Sequence, residues 1–477
     1  MALSALAGRR DVPGPGAKNI ITRHPKGCRM HAQPTSSPSI RTLAAGSAFL
    51  LAVALVLPAQ GQNWQTVDDW PSPEESLGNP ALSASSADIA ADAWGKLFAV
   101  GSGTWVTGDP LPDGFGLVRA SAAASAGQPG TWLSPDPYAG PNEEDWRSAH
   151  YRGVTRDPAS GRILVVGELR PRTSYDPAWL VRESADGGAT WVTTDLQPNL
   201  DGSTWSSCAD IQVDPRDGTV YAVGRTLSSV NNGWGQSTWI VRRRKPTESA
   251  FTTVDRIVQT TAAEAWQVAF HPDLGVVVVG ATEAGRTSSP GWTVRTSLHG
   301  EPGTWVTRER FVDSKEWLRS VAQAAMVTPG GTLYVAGSAY NAKTGKNHWM
   351  VRTSTDGGIT WAISDNVVPA GSDAMVTGLA LLGLDRPVAC GYARDASGAL
   401  RWWVRCGTPG TTWVGTGKNR KLVNTVLWES SEGWLPAGWQ ETRANGIAVD
   451  PSGNVFVSGR ARDNEGLNHW IVRKLTP

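Results

Sequence analysis

The chain has 477 residues, a formal net charge of +1 and only 18% charged residues, together with 24 Trp, 53 Gly and 31 Pro. This near-neutral charge provides no basic surface for a phosphate backbone, so we expect no nucleic-acid partner. Many Gly and Pro residues with few charges favour short strands and turns over helices.

Residues 1–61 have the order of a cleavable leader. Arg41 precedes an apolar run at 43–57, and the small residues Ala59-Gln60-Gly61 follow it. The run is short for a membrane span, although a transmembrane anchor is the alternative. We expect no stable membrane span after leader removal, and a mature protein that is secreted, periplasmic or at the cell surface. Residues 62–477 then form a single domain.

A phrase of the form Trp-x-Val-Arg recurs along the rest of the chain. The intervals between its Arg residues run from 53 to 68, the length of one propeller blade or solenoid turn. Alternation along a strand places Trp and Val on one face and Arg on the other. The copies end at Arg119 (a degenerate copy with Gly116 in place of Trp), Arg182, Arg242, Arg295, Arg352, Arg405 and Arg473.

Other short segments repeat around this phrase. One apolar strand ends in a turn, often Asp-Pro, a second ends in Gly, and a fourth begins near Thr-Trp, at Thr412-Trp413 in the sixth unit. Four strands per unit are typical of a propeller blade. The sequence therefore predicts an all-β, seven-bladed β-propeller of four-stranded antiparallel blades.

The two ends of the chain predict how the ring closes. The seventh unit stops at Pro477, just after its third strand, and so lacks a fourth. Residues 63–68 (Asn-Trp-Gln-Thr-Val-Asp) resemble the fourth-strand segment 191–195. We expect this N-terminal strand to become the outer strand of the last blade, because an incomplete blade would leave an unpaired edge.

Cysteine and histidine usage points to no metal site. Cys390 and Cys406 lie on neighbouring predicted strands, where a disulfide or two buried thiols are both possible. Cys208 has no evident partner, and no Cys/His cluster has zinc spacing. We expect neither a metal nor a cofactor.

Two repeats contain a more specific motif between their third and fourth strands, Ser-x-Asp-x-Gly-x-Thr-Trp. It resembles the Asp-box, or BNR, motif of sialidase-like propellers, and the segment 446–459 resembles the bacterial extracytoplasmic β-propeller repeat. We expect the motif to stabilise the turn. The resemblance implies that it lies on the face opposite a binding or catalytic site. Its residues are Ser184, Asp186, Gly188 and Trp191 in one repeat and Ser354, Asp356, Gly358 and Trp361 in the other.

The same resemblance would imply an arginine triad, a Tyr/Glu nucleophile pair, an acidic Asp and an Arg-Ile-Pro signature in an active enzyme. No Arg-Ile-Pro occurs, and the repeated Arg residues fit structural ion pairs. The sequence favours a non-catalytic propeller that binds a glycan or an extracellular or periplasmic protein at its loop-rich face. A glycoside hydrolase using carboxylates at the central mouth, and a structural subunit of a cell-surface assembly, remain alternatives.

Residues that depart from the repeat near the start of the first strand are the candidate ligand contacts, since binding residues usually lie at the ends of a rigid scaffold. Packing of the tryptophans between blades is the alternative. The connection 415–442, with three tryptophans, is a further candidate for a binding loop or cap. The candidate contacts are Trp146, Arg147, Glu144, Trp205, Trp266, Trp317, Arg319, Glu316 and Arg443.

Overall fold

The structure is a computed structural model, and its compact unit spans Ala59–Pro477. The predicted leader lies outside the described residues. The residues described are 63–70, 82–105, 114–121, 132–133, 137–141, 145–174, 176–230, 233–284, 289–312, 315–368, 373–414 and 421–475.

The described strands form seven four-stranded antiparallel sheets, and the four strands of each sheet lie side by side in the order given below. Blade 1 contains β2 (Leu82–Ala91), β3 (Leu97–Trp105), β4 (Gly114–Ser121) and β5 (Trp132–Leu133). Blade 2 contains β6 (Trp146–Arg156), β7 (Ile163–Pro171), β8 (Ala178–Ser184) and β9 (Val192–Gln197). Blade 3 contains β10 (Trp205–Val213), β11 (Val220–Val230), β12 (Gly233–Arg244) and β13 (Thr252–Gln259). Blade 4 contains β14 (Ala263–His271), β15 (Gly275–Ala284), β16 (Ser289–Ser297) and β17 (Val306–Phe311).

The remaining blades follow the same order. Blade 5 contains β18 (Trp317–Val327), β19 (Leu333–Asn341), β20 (Lys346–Ser354) and β21 (Ala362–Val367). Blade 6 contains β22 (Ala374–Leu382), β23 (Arg386–Arg394), β24 (Leu400–Val414) and β25 (Lys421–Trp434). Blade 7 contains β26 (Glu441–Val449), β27 (Val455–Arg462), β28 (Asn468–Leu475) and, outermost, β1 (Trp64–Trp70).

The seven first strands form the inner ring of the molecule. Each contacts the first strand of the next blade, in the order β2, β6, β10, β14, β18, β22, β26 and back to β2. The chain is therefore a closed seven-bladed β-propeller, as the sequence predicts.

The predicted closure of the ring is also confirmed. Strand β1 pairs with β28 in antiparallel register, from Trp64 opposite Leu475 to Trp70 opposite Trp470. Val67 of this strand is buried in the core. Residues from the beginning of the described chain thus complete the sheet formed by its end.

Close packing between blades explains why Trp and Gly recur. A Cβ atom placed on Gly224 of β11 would lie 2.9 Å from Cζ3 of Trp179 in the preceding blade and 2.1 Å from the carbonyl oxygen of Ser207. Neither contact is tolerable, so a residue without a side chain is required there. The third-strand tryptophans with no exposed surface are Trp179, Trp239, Trp292, Trp349, Trp402 and Trp470.

The repeated arginines form ion pairs across the junctions between blades. Six of the seven pair with an acid on the outer strand of the preceding blade, at nitrogen–oxygen distances of 2.5 to 3.0 Å. The seventh, Arg182, donates from Nη1 to the hydroxyl of Tyr151 within its own blade, at 2.8 Å. The interpretation of these arginines as structural is supported. The pairs are Arg119–Asp68, Arg242–Asp195, Arg295–Asp255, Arg352–Glu309, Arg405–Asp365 and Arg473–Glu432.

Blade 6 corrects one prediction. Thr412 and Trp413 do not begin the fourth strand but lie at the end of the third, and much of the predicted connection 415–442 is the fourth strand β25 itself. The two strands are 15 and 14 residues long, against 7 and 6 in blade 2. They form a hairpin that extends the blade on the side of the 3–4 turns rather than a loop at the mouth.

The cysteine alternatives are resolved in favour of thiols. Cys390 lies opposite Val404 in the β23–β24 ladder and Cys406 lies opposite Val388, so the two are not cross-strand partners. Cys208, Cys390 and Cys406 are all free and buried. Among the described residues, no helix is long and apolar enough to cross a membrane.

Candidate functional site

The antiparallel blades give the propeller two faces with different connections. One face, called here the mouth, carries the 4–1 and 2–3 connections, and the other carries the 1–2 and 3–4 turns. The two turns that resemble Asp-boxes follow β8 and β20 and so lie on the face opposite the mouth.

Both of these turns have the same hydrogen bonds. In the first, the Gly188 N–H donates to Ser184 Oγ at 2.8 Å, and the Thr190 N–H and hydroxyl donate to Asp186. Trp191 Nε1 donates to the Gly188 carbonyl at 3.1 Å. The turn at Ser354, Asp356, Gly358 and Trp361 repeats this set.

Hydrogen bonding explains the acidity of these carboxylates. Bonds from Thr190 lower the pKa of Asp186 to about 2, and bonds from Thr360 lower the pKa of Asp356 to about 2. All of the bonds remain within the turn, which is what a stabilising role requires.

The inner ring carries a feature that the sequence analysis did not detect. Every first strand contains a one-residue bulge at the same point of its ladder. Such a bulge re-aims its side chain and is common next to functional sites. The seven bulged residues are Ala87, Arg152, Ala209, Trp266, Gln323, Thr377 and Asn445.

All seven bulged residues line one central cavity of about 250 Å³. Asp88, Asp210 and Gln267, which directly follow three of the bulges, complete its lining. The cavity therefore presents an indole, a guanidinium, amides and a hydroxyl on a backbone that is the same in every blade.

The residues that follow the bulges also join neighbouring blades. The Val154 N–H donates to Asp88 Oδ2 at 3.1 Å, and the Val268 N–H donates to Asp210 Oδ2 at 3.0 Å. Burial raises the pKa of Asp88 to about 7 and that of Asp210 to about 8, and the charge of Asp88 adds to the effect on Asp210. These carboxyls are set into the wall of the cavity.

A charged cluster adjoins the cavity on the mouth side at blade 2. Glu168 is buried and accepts hydrogen bonds from Arg152 at 3.2 Å and Arg170 at 2.8 Å. Burial alone would raise the pKa of Glu168, but the two guanidinium groups hold it below the usual value. Glu168 is therefore an anion, and Arg152 connects it to the cavity.

Blades 3 and 4 supply a second carboxyl with the opposite behaviour. Arg225 Nη1 donates to Glu264 Oε2 at 2.7 Å, and the guanidinium lies 4.6 Å from the ring centroid of Trp205. Burial raises the pKa of Glu264 to about 7, against the opposing charges of Arg225 and Arg152. Two neighbouring carboxyls thus have pKa values shifted in opposite directions.

The rest of the mouth carries arginine beside aromatic rings. In blade 5, Arg319 lies 4.7 Å from the ring centroid of Tyr340. At the junction of blades 6 and 7, Arg443 lies 5.2 Å from the ring of Tyr392 and 3.7 Å from Glu441, which also accepts from Arg460 at 2.7 Å.

The structure distributes the predicted contact residues over three environments. Trp266 lines the central cavity, while Trp205, Arg319 and Arg443 lie in the mouth clusters. Trp317 is buried, with its ring 5.1 Å from His348, and so packs within blade 5.

The other predicted contacts lie at, or directly before, the first residues of their strands. Glu316 accepts from Asn341 Nδ2 at 3.3 Å. Trp146 is half-buried against the core of blade 2, and Arg147 is a second bulged residue in β6. Glu144 lies outside the described residues.

Sequence reasoning missed Arg152, Glu168, Arg225 and Gln323. Their shared signal is position. Arg152 stands six residues after the start of β6 and Gln323 six residues after the start of β18, and Glu168 and Arg225 directly follow the repeated Gly of the second strand. Within the described part of the chain, no group of three or more His, Cys, Asp or Glu could hold a metal ion.

Comparison with known proteins yields architecture only. No protein-family model and no curated protein matches the chain. An α-L-arabinofuranosidase of Fusarium graminearum is 12% identical over 72% of this chain and 92% of its own, with a TM-score of 0.39. A Trypanosoma rangeli sialidase is 12% identical over 72% of this chain and 55% of its own, with a TM-score of 0.36. The β-propeller domain of the Trilobed protease of Pyrococcus furiosus is 9% identical over 81% of this chain and 93% of its own, with a TM-score of 0.41.

At these identities the likeness concerns fold alone. The β-propeller architecture that the sequence predicts is confirmed by the seven four-stranded blades.

Proposed function

We propose that this chain is an exported propeller that binds a glycan in the central cavity and at its mouth. The observation that carries the proposal is the ring of bulged residues, in which one backbone feature presents a different side chain in each blade. The leader predicted at 1–61 supports export.

The chemistry of the cavity fits a saccharide. Sugar rings present apolar faces to an aromatic ring and hydroxyl groups to amides, and Trp266, Gln323 and Asn445 offer both kinds of contact. A volume of about 250 Å³ lies below that of pockets for drug-sized ligands, which start at about 300 Å³, so the cavity fits one terminal unit of a chain. The rest of the glycan would then lie across the mouth.

The mouth favours an acidic substituent on that glycan. Arg152, Arg170 and Arg225 keep 36%, 41% and 32% of their side-chain surface exposed, respectively, whereas their acidic partners Glu168 and Glu264 are largely covered (1% and 16%). A ligand entering here meets guanidinium groups, which bind carboxylate and sulfate groups well.

A glycan array that contains neutral and acidic saccharides, probed with the chain from residue 62, tests the proposal. We expect binding to be weakened at least tenfold by Trp266→Ala and to be unchanged by Asp186→Ala on the opposite face. Binding lost equally in both variants, or an array with no positive glycan, would contradict the assigned site. If the chain instead captured a protein partner, and Trp266→Ala abolished that capture, the ligand of this site would be a protein and not a glycan.

A second candidate function is glycoside hydrolysis, and one observation favours it. The pKa values of Glu168 and Glu264 are shifted apart, the arrangement that lets one carboxyl donate a proton while the other remains ionised. Chromogenic glycosides test this candidate. Turnover that Glu264→Gln abolishes without loss of glycan binding would establish this function. Absence of turnover on the chromogenic glycosides of every glycan that the protein binds on the array would exclude it.

A further inference from the structure

The extended hairpin of blade 6 ends in an outer strand whose edge is not covered by the described part of the chain. Beyond the core of the blade, β24 and β25 continue to pair from Gly407 opposite Trp428 to Val414 opposite Lys421. β25 is the last strand of its sheet, so its outer edge has no partner strand within the blade. We call residues 421–429 of β25 the blade 6 edge.

The middle of the blade 6 edge lacks the features that usually protect an exposed strand. Exposed edges usually carry charges, Pro or bulges that prevent pairing with another chain. Residues 422–428, Leu-Val-Asn-Thr-Val-Leu-Trp, contain no charge and no Pro, and the bulge of β25 lies further on, at Ser431.

Apolar side chains of this edge are exposed. Leu422 is 54% exposed, Val423 37% and Leu427 53%. The base of the hairpin is nevertheless fixed, because Trp428 Nε1 donates to Ser364 Oγ of blade 5 at 3.0 Å. A two-stranded hairpin is marginally stable in water, and a further strand would stabilise it.

The sequence of the edge is complementary to itself. In antiparallel pairing of two copies centred on Thr425, Val423 falls opposite Leu427 and Leu422 opposite Trp428, so two kinds of apolar pair form, while Asn424 falls opposite Val426. The only two charges of the edge, Lys421 and Glu429, then fall opposite each other at both ends. A pairing of this kind repeats the same contact twice around a two-fold axis.

We propose that the protein forms a two-fold dimer in which the blade 6 edges of two copies pair in antiparallel register, centred on Thr425. The two four-stranded blades join into one continuous eight-stranded sheet. The mouth is not involved, since the hairpin extends from the opposite face, and both binding sites stay open.

Sedimentation velocity and cysteine crosslinking of the chain from residue 62 test this pairing. Two Thr425 positions directly opposite each other lie within disulfide range, whereas Thr411, one strand further in, would be about 14 Å from its counterpart across three strand spacings. We expect Thr425→Cys to form a covalent dimer on air oxidation and Thr411→Cys to form none. The native thiols Cys208, Cys390 and Cys406 are buried and do not compete.

A charge exchange tests the register. We expect the wild-type chain to sediment as a dimer, Lys421→Glu or Glu429→Lys to raise the dissociation constant, and the double variant to restore it, because each charge then meets its opposite again. Monomers at every concentration, equal crosslinking of the two cysteine variants, or a double variant as weak as the single ones would overturn the proposal.

Discussion

The blade junctions and the central ring use repetition in opposite ways. At six of the seven junctions a third-strand arginine meets an acid of the preceding blade, so backbone and side chains repeat together. In the ring the backbone bulge repeats seven times, but the side chain changes from blade to blade. The repeated side chains therefore stabilise the contacts between blades. The side chains that vary on a repeated backbone are available to contact a ligand.

Removal of the closing strand should disturb the junctions most. Deletion of residues 63–70 removes β1, takes the buried Val67 out of the core and leaves Arg119 without Asp68. Loss of the apolar burial and of one buried ionic partner together should lower the free energy of unfolding by on the order of 5 kcal/mol.

Urea denaturation of the shortened chain beside a Gln65→Ala variant measures this loss. Gln65 is an exposed residue of the same strand, so its replacement should leave the unfolding midpoint in place. An unchanged unfolding midpoint in the shortened chain would show that the stability of the propeller does not depend on strand β1.

A single junction pair should have the next largest effect. Arg295 Nε lies 2.7 Å from Asp255 Oδ2, and both side chains are largely buried. Arg295→Met leaves an uncompensated carboxylate and should cost about 3–5 kcal/mol, whereas the double variant with Asp255→Leu should recover most of that loss.

An exposed pair provides the matched control for this junction. Arg401 pairs with Asp395, but 40% of its side chain is exposed, and Arg401→Met should cost less than about 1 kcal/mol. If Arg295→Met and Arg401→Met lowered the free energy of unfolding equally in chemical denaturation, the junction pair would be no more stabilising than the surface pair.

The junctions, unlike the ring, could be predicted from the sequence. Trp and Arg recur because each meets the same neighbour in blade after blade, and this recurrence is visible in the letters alone. The bulges have no such signature, since Ala87, Trp266 and Asn445 share a backbone conformation and no chemistry. The hairpin of blade 6 was mistaken for a loop because its fourth strand begins at Lys421 instead of at the repeated Thr-Trp.

A buried carboxyl of the ring should make the stability of the folded chain depend on pH. Burial raises the pKa of Asp210 from 3.8 to about 8, so the folded chain keeps a proton that the unfolded chain releases between these pH values. The free energy of unfolding should therefore fall as pH rises through this window, by at most about 1.4 kcal/mol per pH unit for this group.

The slope can be assigned with one isosteric variant. Asp210→Asn keeps an oxygen that can accept from the Val268 N–H, and it cannot ionise. We expect the variant to lose the Asp210 contribution, about 2 kcal/mol between pH 5.5 and 7, when unfolding is followed at several pH values. Parallel curves for the two proteins would assign the pH dependence to another group.

The smallest effect on stability is expected inside the ring itself, where two neighbouring glutamines differ in their contacts. Gln267 accepts the Ala325 N–H at 2.6 Å and so joins blades 4 and 5, and Gln267→Ala should cost about 1–3 kcal/mol because it leaves that donor unpaired. Gln323 is a bulged residue that lines the cavity, and Gln323→Ala should change stability by less than about 0.5 kcal/mol. Calorimetric titration with a glycan from the array should show the opposite order, with the larger loss of affinity in Gln323→Ala. If Gln267→Ala weakened glycan binding more than Gln323→Ala did, the assignment of the bulged residue as a ligand contact would be wrong.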